Sequence, residues 1–400
     1  MQKFDTAREA ALALRPDEPV YCFHPKVMAD DAKKFMSLFS GKTAYAVKTN
    51  GERQVLDVLA ANGVTCFDVA SPQEIADVRA AAPKAEMIYM HPVKAQSHIR
   101  DALHRDKIRT LALDHEDELT KIHRIVQALD IDPGSVTKKF GAGPSHAVEL
   151  LQRVERLGYK AGLCFHVGSQ IEDPETYDAA LKVAKQVRDS SGVKLAGLDI
   201  GGGFPAEYGH DPKRAHAEMP SLPQLMTRVS RDIDAWGFND LPLIAEPGRV
   251  IVARAYSLIV RVLLRKGRRL YINDGIWASL SDSWTGKITL PARFIPDPAL
   301  KSRNGDAKKI VPFRVCGATC DSVDILSRPF WLPETVDTGD WIEIGHIGAY
   351  SLSLRTRFNG FYPDQFVEVA TPFDEGDAPE GYATLETMGE DAAEDELIEA

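Results

Sequence analysis

Residues 42–62, with the sequence KTAYAVKTNGERQVLDVLAAN, join a short apolar strand to an amphipathic helix, and a lysine stands where the strand ends. The apolar run over 42–47 predicts the strand, and the spacing of apolar residues over 52–62 predicts the helix. The same order of strand and helix recurs from residue 20 to residue 250. About eight such repeats predict a closed, TIM-type (β/α)8 barrel, and a doubly wound open sheet is the alternative.

Short segments rich in β-branched and aromatic residues mark the strands of this barrel. The predicted barrel strands cover residues 20–23, 42–47, 65–69, 87–89, 110–113, 162–167, 195–200 and 243–246. The predicted helices between them cover residues 52–62, 72–82, 95–105, 115–126, 147–157, 173–190 and 222–235.

After residue 250 the pattern changes to strands with few helices between them. These strands are predicted at residues 250–264, 269–273, 288–294, 310–315, 340–344 and 365–369. The sequence therefore predicts an α/β chain in three parts: the barrel over 20–250, an all-β domain over 251–372 on which residues 1–19 pack, and an acidic tail over 373–400.

The composition, with 44% hydrophobic and 26% charged residues, is that of an ordinary globular protein. No apolar run is long enough to span a bilayer, and residues 1–16 lack the apolar core of a signal peptide. The five cysteines are too scattered for a disulfide framework. We therefore expect a cytoplasmic protein with reduced thiols and no membrane partner.

The net charge of -10 comes from one end of the chain. Residues 374–400 carry eleven Asp or Glu and no Lys or Arg, so the rest of the chain is nearly neutral. The densest basic cluster, residues 261–269, is interpreted as a strand edge and turn, not as a surface for nucleic acid. Nucleic acid is therefore not an expected partner, and the tail is expected to serve solubility.

Three polar motifs stand at the ends of predicted barrel strands, where the active sites of such barrels lie. Lys48 is either a surface charge or a desolvated amine able to form a Schiff base. The run Gly201-Gly202-Gly203 is either a tight turn or a set of open N–H groups that wrap a phosphate. Glu246 and Arg249 are either an ion pair or a rim carboxylate with a cation nearby.

Two further motifs carry reactive side chains. His166 also ends a predicted strand, where a single histidine is either a satisfied structural residue or part of a site. No metal is expected beside it, since no second ligand stands at a suitable spacing. Cys320 and Asp321 place a thiol next to a carboxylate, and a simple turn in the β-domain is the alternative interpretation.

Taken together, these residues offer an amine, an anion nest, a ring, a carboxylate and a thiol. Pyridoxal phosphate (PLP) chemistry needs a lysine for the aldehyde, a nest for the phosphate and an acid at the pyridine nitrogen. The sequence therefore predicts a site for pyridoxal 5'-phosphate.

From Tyr21 to about Val369 the chain resembles the fold-type III PLP enzymes, and within them the bacterial ornithine/lysine decarboxylase group. The matching segments are Tyr45-Ala-Val-Lys48, Phe67-Asp68-Val-Ala-Ser71, His166-Val-Gly-Ser169, Asp199-Ile-Gly-Gly-Gly-Phe-Pro205, Glu246-Pro-Gly-Arg249, Asn273-Asp-Gly275, Cys320-Asp321-Ser-Val-Asp324 and Gly348-Ala-Tyr350.

This resemblance implies a role for each matching residue. It implies that Lys48 binds the cofactor aldehyde, that His166 stacks on the ring, that Glu246 pairs with the pyridine nitrogen and that Asp68 supports the cofactor from behind. The residues implied to hold the phosphate are Ser169, Gly201, Gly202, Gly203, Arg249 and Tyr350. It further implies a homodimer in which Cys320 and Asp321 of one chain complete the site of the other.

The activity implied by the resemblance is decarboxylation of a basic amino acid in polyamine biosynthesis. Conversion of L-ornithine to putrescine is expected first, with L-lysine to cadaverine as a side or main activity. Asp321 suits a distal ammonium, and Asp282 resembles the family's second acid for that amine. Carboxynorspermidine or diaminopimelate decarboxylation and a catalytically idle PLP carrier are the alternatives. A racemase is disfavoured, since it would have Arg in place of Glu246. Between residues 119 and 139 the chain is shorter than the family pattern, and the family's barrel arginine has no assigned counterpart.

Overall fold

A computed structural model of the chain describes residues 1–139, 142–208, 219–300 and 304–375. These residues form two compact units. The barrel unit comprises residues 29–139, 142–205 and 219–251, and the β-unit comprises residues 1–28, 206–208, 252–300 and 304–375. Residues 376–400 of the predicted acidic tail lie outside the described residues.

A closed parallel sheet forms the centre of the barrel unit, as the repeat pattern predicts. The described strands are Lys42–Ala46, Cys66–Val69, Glu86–Tyr89, Thr110–Ala112, Thr137–Lys139, Lys160–Ala161 with Leu163–Cys164, Leu198–Asp199 and Leu243–Ala245. The chain over 160–164 closes the ring, because Lys160–Ala161 pairs with Thr137–Lys139 while Leu163–Cys164 pairs with Leu198–Asp199.

Helices follow the strands along the barrel unit. They are Arg53–Ala61, Pro72–Ala81, Gln96–His104, Glu116–Ala128, Pro144–Arg156, Glu175–Ser191 and Leu222–Ala235, while Pro25–Leu38 and Arg249–Val252 carry the chain between the units. Local sequence explains their starts. At Pro72–Ala81, for example, the Ser71 hydroxyl accepts the Glu74 N–H and a proline occupies the first helical position.

The prediction of the barrel strands is wrong in two places. One predicted strand lies outside the barrel and one barrel strand was not predicted, so the number of strands is unchanged. Val20–Phe23 was expected in the barrel, but it pairs antiparallel with Tyr256–Ile259 and parallel with residues of Gln365–Val369 in the β-unit. The missing barrel strand is Thr137–Lys139, which has three residues, two of them lysines, and so lacks an apolar run. This strand occupies the compressed region and contains no arginine, so the family's barrel arginine remains unassigned.

The β-unit is organised around one long strand, Tyr256–Lys266, which pairs with Val20–Phe23, Trp341–Ile344 and Arg269–Ile272. Its other strands are Gln2–Phe4, Ala292–Ile295, Ile310–Cys316, Phe330–Pro333 and Gln365–Val369, and its helices are Ala7–Leu14 and Ser281–Thr285. The strand predicted at 250–264 begins only at Tyr256, because residues 249–255 form helical turns.

The interior of the barrel directs acidic side chains towards one end. Ala44, Cys66 and Ile88 form a buried cluster on which Ile244 packs. Because alternate residues of a strand share a face, Asp68 follows Cys66, and Glu246 follows Ile244, on the interior face. Both acids therefore lie at the carboxyl ends of the parallel strands, where barrel active sites form.

Candidate active site

Lys48 lies in a single helical turn, Val47–Thr49, directly after the strand Lys42–Ala46. Its Nζ is 3.5 Å from Asp68 Oδ2. The Asp68 side chain is buried, at 3% exposed, whereas the Lys48 side chain is 46% exposed. The buried carboxylate thus holds a reachable amine at the mouth of the barrel.

Glu246 is buried in a cluster of negative charge. Burial, Asp199 and Asp68 together raise its pKa well above the ordinary value for glutamate, and Lys48 opposes them. Its Oε1 is buried and accepts no hydrogen bond from any residue that the structure describes. A buried acceptor without a donor is costly, so this oxygen suits a ligand that brings an N–H group.

His166 presents a neutral ring. Its Nδ1 accepts the Gly202 N–H at 3.2 Å, which requires that nitrogen to be unprotonated. Burial and the charge of Lys48 lower the pKa of His166. The imidazole therefore has the neutral form and fixed orientation that stacking on an aromatic ring requires.

The triple glycine packs tightly against neighbouring backbone. A Cβ on Gly201 would lie 2.2 Å from the Phe165 carbonyl oxygen, and one on Gly202 would lie 2.6 Å from the carbonyl oxygen of Glu246. The Gly201 N–H donates to Asp199 Oδ1 at 2.9 Å, and the Gly202 N–H donates to His166. The expectation of three open N–H groups is therefore wrong: of the three, only Gly203 N–H lacks a described acceptor.

Arg249 and Ser169 meet beside this loop. Arg249 is 6% exposed, and its Nε and Nη2 lie 3.4 and 3.2 Å from Ser169 Oγ. A buried guanidinium and a hydroxyl are donors that suit a phosphate. The structure thus brings together both barrel residues whose side chains were predicted to contact the phosphate.

Asp199 belongs to the site although the sequence did not single it out. It is fully buried, accepts the Gly201 N–H, and shares a hydrogen bond with Glu246. Its place at the end of the strand Leu198–Asp199, directly before the glycine loop, was the available signal. An interior acid at that point orients both the loop and Glu246.

The remaining predicted site residues, Tyr350, Cys320, Asp321 and Asp282, belong to the β-unit. Tyr350 has a left-handed backbone, with φ of 52°, which is unusual for a bulky side chain and is a frequent feature of functional sites. Cys320 is exposed, and its thiol donates to Asn359 Oδ1 at 3.6 Å. Asp282 lies in the short helix Ser281–Thr285.

Residues 27–253 match the family model described as the pyridoxal-dependent decarboxylase, pyridoxal binding domain. The chain belongs to the pyridoxal-dependent decarboxylases. Pyridoxal phosphate is its cofactor, and the enzyme is a carboxy-lyase. The unpartnered Glu246 oxygen, the neutral His166 ring and the Arg249–Ser169 pair all fit the ring and phosphate of this cofactor.

Similar proteins cover most of the decarboxylase. The chain is 31% identical to a lysine/ornithine decarboxylase of Selenomonas ruminantium, over 80% of this chain and 81% of the relative. It is 32% identical to ornithine decarboxylase of Rattus norvegicus, over 79% of this chain and 73% of the relative. Among solved structures, the lysine/ornithine decarboxylase of Vibrio vulnificus complexed with putrescine has a TM-score of 0.76 at 25% identity, covering 92% of this chain and 99% of that one.

A viral enzyme shares the fold of the decarboxylase to a similar degree. The arginine decarboxylase of Paramecium bursaria Chlorella virus, bound to agmatine, has a TM-score of 0.75 at 26% identity, covering 90% of this chain and 98% of that one. These relatives confirm the fold-type III fold expected from the sequence, with its barrel and mostly-β domain. No helix among the described residues is long and apolar enough to cross a membrane.

Proposed function

We propose that the decarboxylase acts on a basic L-amino acid, with conversion of L-ornithine to putrescine as its main reaction and of L-lysine to cadaverine as a second or equal one. This reaction would serve polyamine biosynthesis in the cytoplasm. The observation that carries the proposal is Glu246, whose buried carboxylate has an open acceptor oxygen at the mouth of the barrel.

Pyridoxal phosphate, when bound, supplies an aldehyde for the substrate amine and a ring that accepts the electrons left when CO2 departs. Glu246 would hold a proton at the ring nitrogen, because the carboxylate and the charged nitrogen stabilise each other's ionised forms once they are adjacent. Lys48 would bind the cofactor between turnovers and release the product amine. His166 would cover one face of the ring and exclude water from it.

The residues that the resemblance implies for the phosphate offer suitable donors. Arg249 and Ser169 offer a buried guanidinium and a hydroxyl, and Gly203 offers an N–H that has no acceptor among the described residues. Gly201 and Gly202 would shape the loop, since their N–H groups have partners within the chain. Tyr350 would supply a hydroxyl, and Asp68 would keep Lys48 in place.

The substrate's far end and the protonation step would depend on a second copy of the chain. We propose a homodimer in which Cys320 of one chain donates a proton to the substrate Cα after CO2 leaves. Asp321 of that chain, with Asp282, would bind the distal ammonium. Two carboxylates favour a substrate that ends in a cation and disfavour one that ends in a carboxylate.

A panel of substrates tests this proposal. Purified enzyme loaded with cofactor is supplied in parallel with ornithine, lysine, arginine and diaminopimelate, and CO2 and the amine product are measured. We expect the highest kcat/KM with ornithine or lysine. Preference for diaminopimelate would contradict the proposed use of Asp321 and Asp282, and preference for arginine would place the enzyme with its viral structural relative in substrate choice.

An idle homologue is the second candidate, because the relatives include a protein named antizyme inhibitor 2 from Xenopus laevis, 30% identical over 80% of this chain. The presence of Lys48, Cys320 and Asp321 in this chain favours catalysis. Absence of CO2 release from every substrate, with cofactor fully bound, would support the idle homologue instead.

A further inference from the structure

The loop Gly317–Asp324 of the β-unit carries Cys320 and Asp321, and it is closed at its base. The Gly317 N–H donates to the Asp324 carbonyl oxygen at 2.7 Å, and the Asp324 N–H donates to the Asp321 carbonyl oxygen at 3.0 Å. The loop therefore returns on itself, with the thiol and the carboxylate between its two ends.

One buried carboxylate joins this loop to a second segment. Asp324 is 2% exposed. Its Oδ2 accepts hydrogen bonds from the Thr319 hydroxyl at 2.6 Å and the Thr319 N–H at 3.0 Å, while its Oδ1 accepts the Ile276 N–H at 2.9 Å. Asp324 thus links the Cys320 loop to the segment that leads through Trp277 to Asp282.

The chain makes room for this carboxylate with two glycines. A Cβ on Gly275 would lie 2.2 Å from Asp324 Oδ1, and a Cβ on Gly317 would lie 2.1 Å from the same oxygen. The carboxylate is therefore confined between two backbone segments that only glycine allows to approach so closely. Neither a longer side chain nor a shifted carboxylate fits this space.

The second segment is itself anchored. Asp274 Oδ2 accepts the Ser279 hydroxyl at 2.6 Å, its Oδ1 accepts the Ser279 N–H at 2.9 Å, and Tyr21 shares a hydrogen bond with the same hydroxyl. The loop that carries the thiol is therefore tied, through Asp324, to a segment with a fixed conformation.

We infer that Asp324 is a positioning residue for catalysis, which fixes Cys320 and Asp321 relative to the Asp282 segment. This inference rests on the proposed function, because it assumes that the thiol donates a proton to Cα and that Asp321 binds the distal amine. Asp324 acts through the loop and does not itself touch the substrate.

Replacing Asp324 by Asn tests this positioning role with little change in side-chain volume. An amide has one oxygen, which accepts, and one NH2 group, which donates. Both Asp324 oxygens accept a backbone N–H, so in the Asn variant one of these N–H groups faces another donor. The loop therefore loses either its bond to Ile276 or its bonds to Thr319. Because a small misplacement of a reacting group is costly, we expect kcat/KM to fall about 10- to 100-fold, with normal cofactor content.

The ratio of CO2 to amine product distinguishes misplacement of the Cys320 thiol from a general loss of stability. We expect one CO2 per amine in the wild-type enzyme and an excess of CO2 in D324N, in the same direction as in C320A. When the proton does not reach Cα, water releases the rest of the substrate as an aldehyde and its amino nitrogen would stay with the cofactor, so CO2 forms without amine. T319V, which removes the shortest bond to Asp324 and keeps a β-branched side chain, should give a smaller excess. T319V keeps the test decisive if D324N does not fold.

Asp340 provides a matched control. It is a fully buried acid of the same unit that accepts the Asp297 N–H at 2.9 Å and the Asp337 N–H at 2.8 Å. D340N should lower the melting temperature while it leaves the product ratio at one. Equal product ratios in D324N, T319V and D340N, at any stability, would overturn the inference.

Alkylation of Cys320 gives a readout that needs no turnover. Iodoacetamide labelling, followed by mass spectrometry of the Cys320 peptide, should proceed several-fold faster in D324N than in wild type or D340N, since the loop is no longer held. An unchanged alkylation rate would overturn the inference that Asp324 holds the Cys320 loop, even if the enzyme is active. If the wild-type enzyme releases no CO2 from any substrate, the proposed function fails. The labelling comparison still tests whether Asp324 holds the Cys320 loop.

Discussion

Lys48 Nζ lies 3.5 Å from Asp68 Oδ2, and the two partners differ in their access to solvent. The carboxylate is buried inside the barrel, and almost half of the lysine side chain is exposed. The ion pair therefore directs the amine to the barrel mouth without enclosing it. A small aldehyde can reach it there.

Reduction with borohydride should fix the cofactor to Lys48 and to no other lysine. We expect the wild-type enzyme to lose its Schiff-base absorption on reduction and to yield a single modified peptide that contains residue 48. K48A should show neither change. K42A is the matched control, because Lys42 begins the strand that leads to Lys48 and its side chain is similarly exposed, at 43%. Modification of K48A at another lysine would contradict the assignment.

Glu246 should make the cofactor-free protein less stable at higher pH. Its pKa in the folded chain is raised above the value in the unfolded chain, so the folded state holds the extra proton and loses stability as pH rises from about 5. The variant E246Q has no proton to lose at this position. We expect cofactor-free E246Q to exceed wild type in melting temperature at pH 8, and the difference to shrink towards pH 5. Parallel melting curves across this range would contradict the buried-acid interpretation.

Gly201 should tolerate no side chain. Its φ of +66° costs a non-glycine residue about 1–2 kcal/mol, and the overlap with the Phe165 carbonyl adds about 1–3 kcal/mol. Gly192 has nearly the same φ, +67°, but a Cβ added there would meet no atom within 4 Å, so G192A measures the backbone cost alone. We expect G201A to be clearly less stable than G192A in urea unfolding and to bind less cofactor. Equal stability of the two variants would show that the loop can move.

Mixing two inactive chains should restore activity if the sites are shared between subunits. A K48A chain supplies Cys320, and a C320A chain supplies Lys48. With random exchange, half of the dimers are mixed and each has one complete site, so about a quarter of the wild-type activity should return. CO2 release after mixing is compared with that of each variant alone. Verified exchange of subunits without recovery would contradict the shared site.

The sequence predicted which barrel residues gather at the candidate site better than it predicted the strand that completes the barrel. Lys48, His166 and Glu246 each end an apolar run, so their common position at one end of the sheet follows from topology alone. Thr137–Lys139 gave no such signal, because pairing on both sides, and not its own residues, makes it a strand. Val20–Phe23 has the right composition for the barrel but pairs elsewhere, which only the distant strands decide.

Hydrogen bonds between residues distant in sequence were equally out of reach. The three glycines suggested open donors. The Gly201 N–H is used locally, by Asp199 two residues earlier, but the use of the Gly202 N–H by His166, 36 residues earlier, depends on how the ends of two strands converge. The importance of Asp199 follows from the same convergence. The sequence motifs indicated which residues lie together, and the packing decided which of their N–H groups and oxygens remain available to bind a ligand.

The internal hydrogen bonds of the glycine loop have a thermodynamic consequence for cofactor capture. A loop whose N–H donors already bond to its own chain is preorganised, so little conformational entropy is lost when the cofactor binds. The empty enzyme should therefore acquire its cofactor quickly, with a heat of binding that reflects new contacts and little folding.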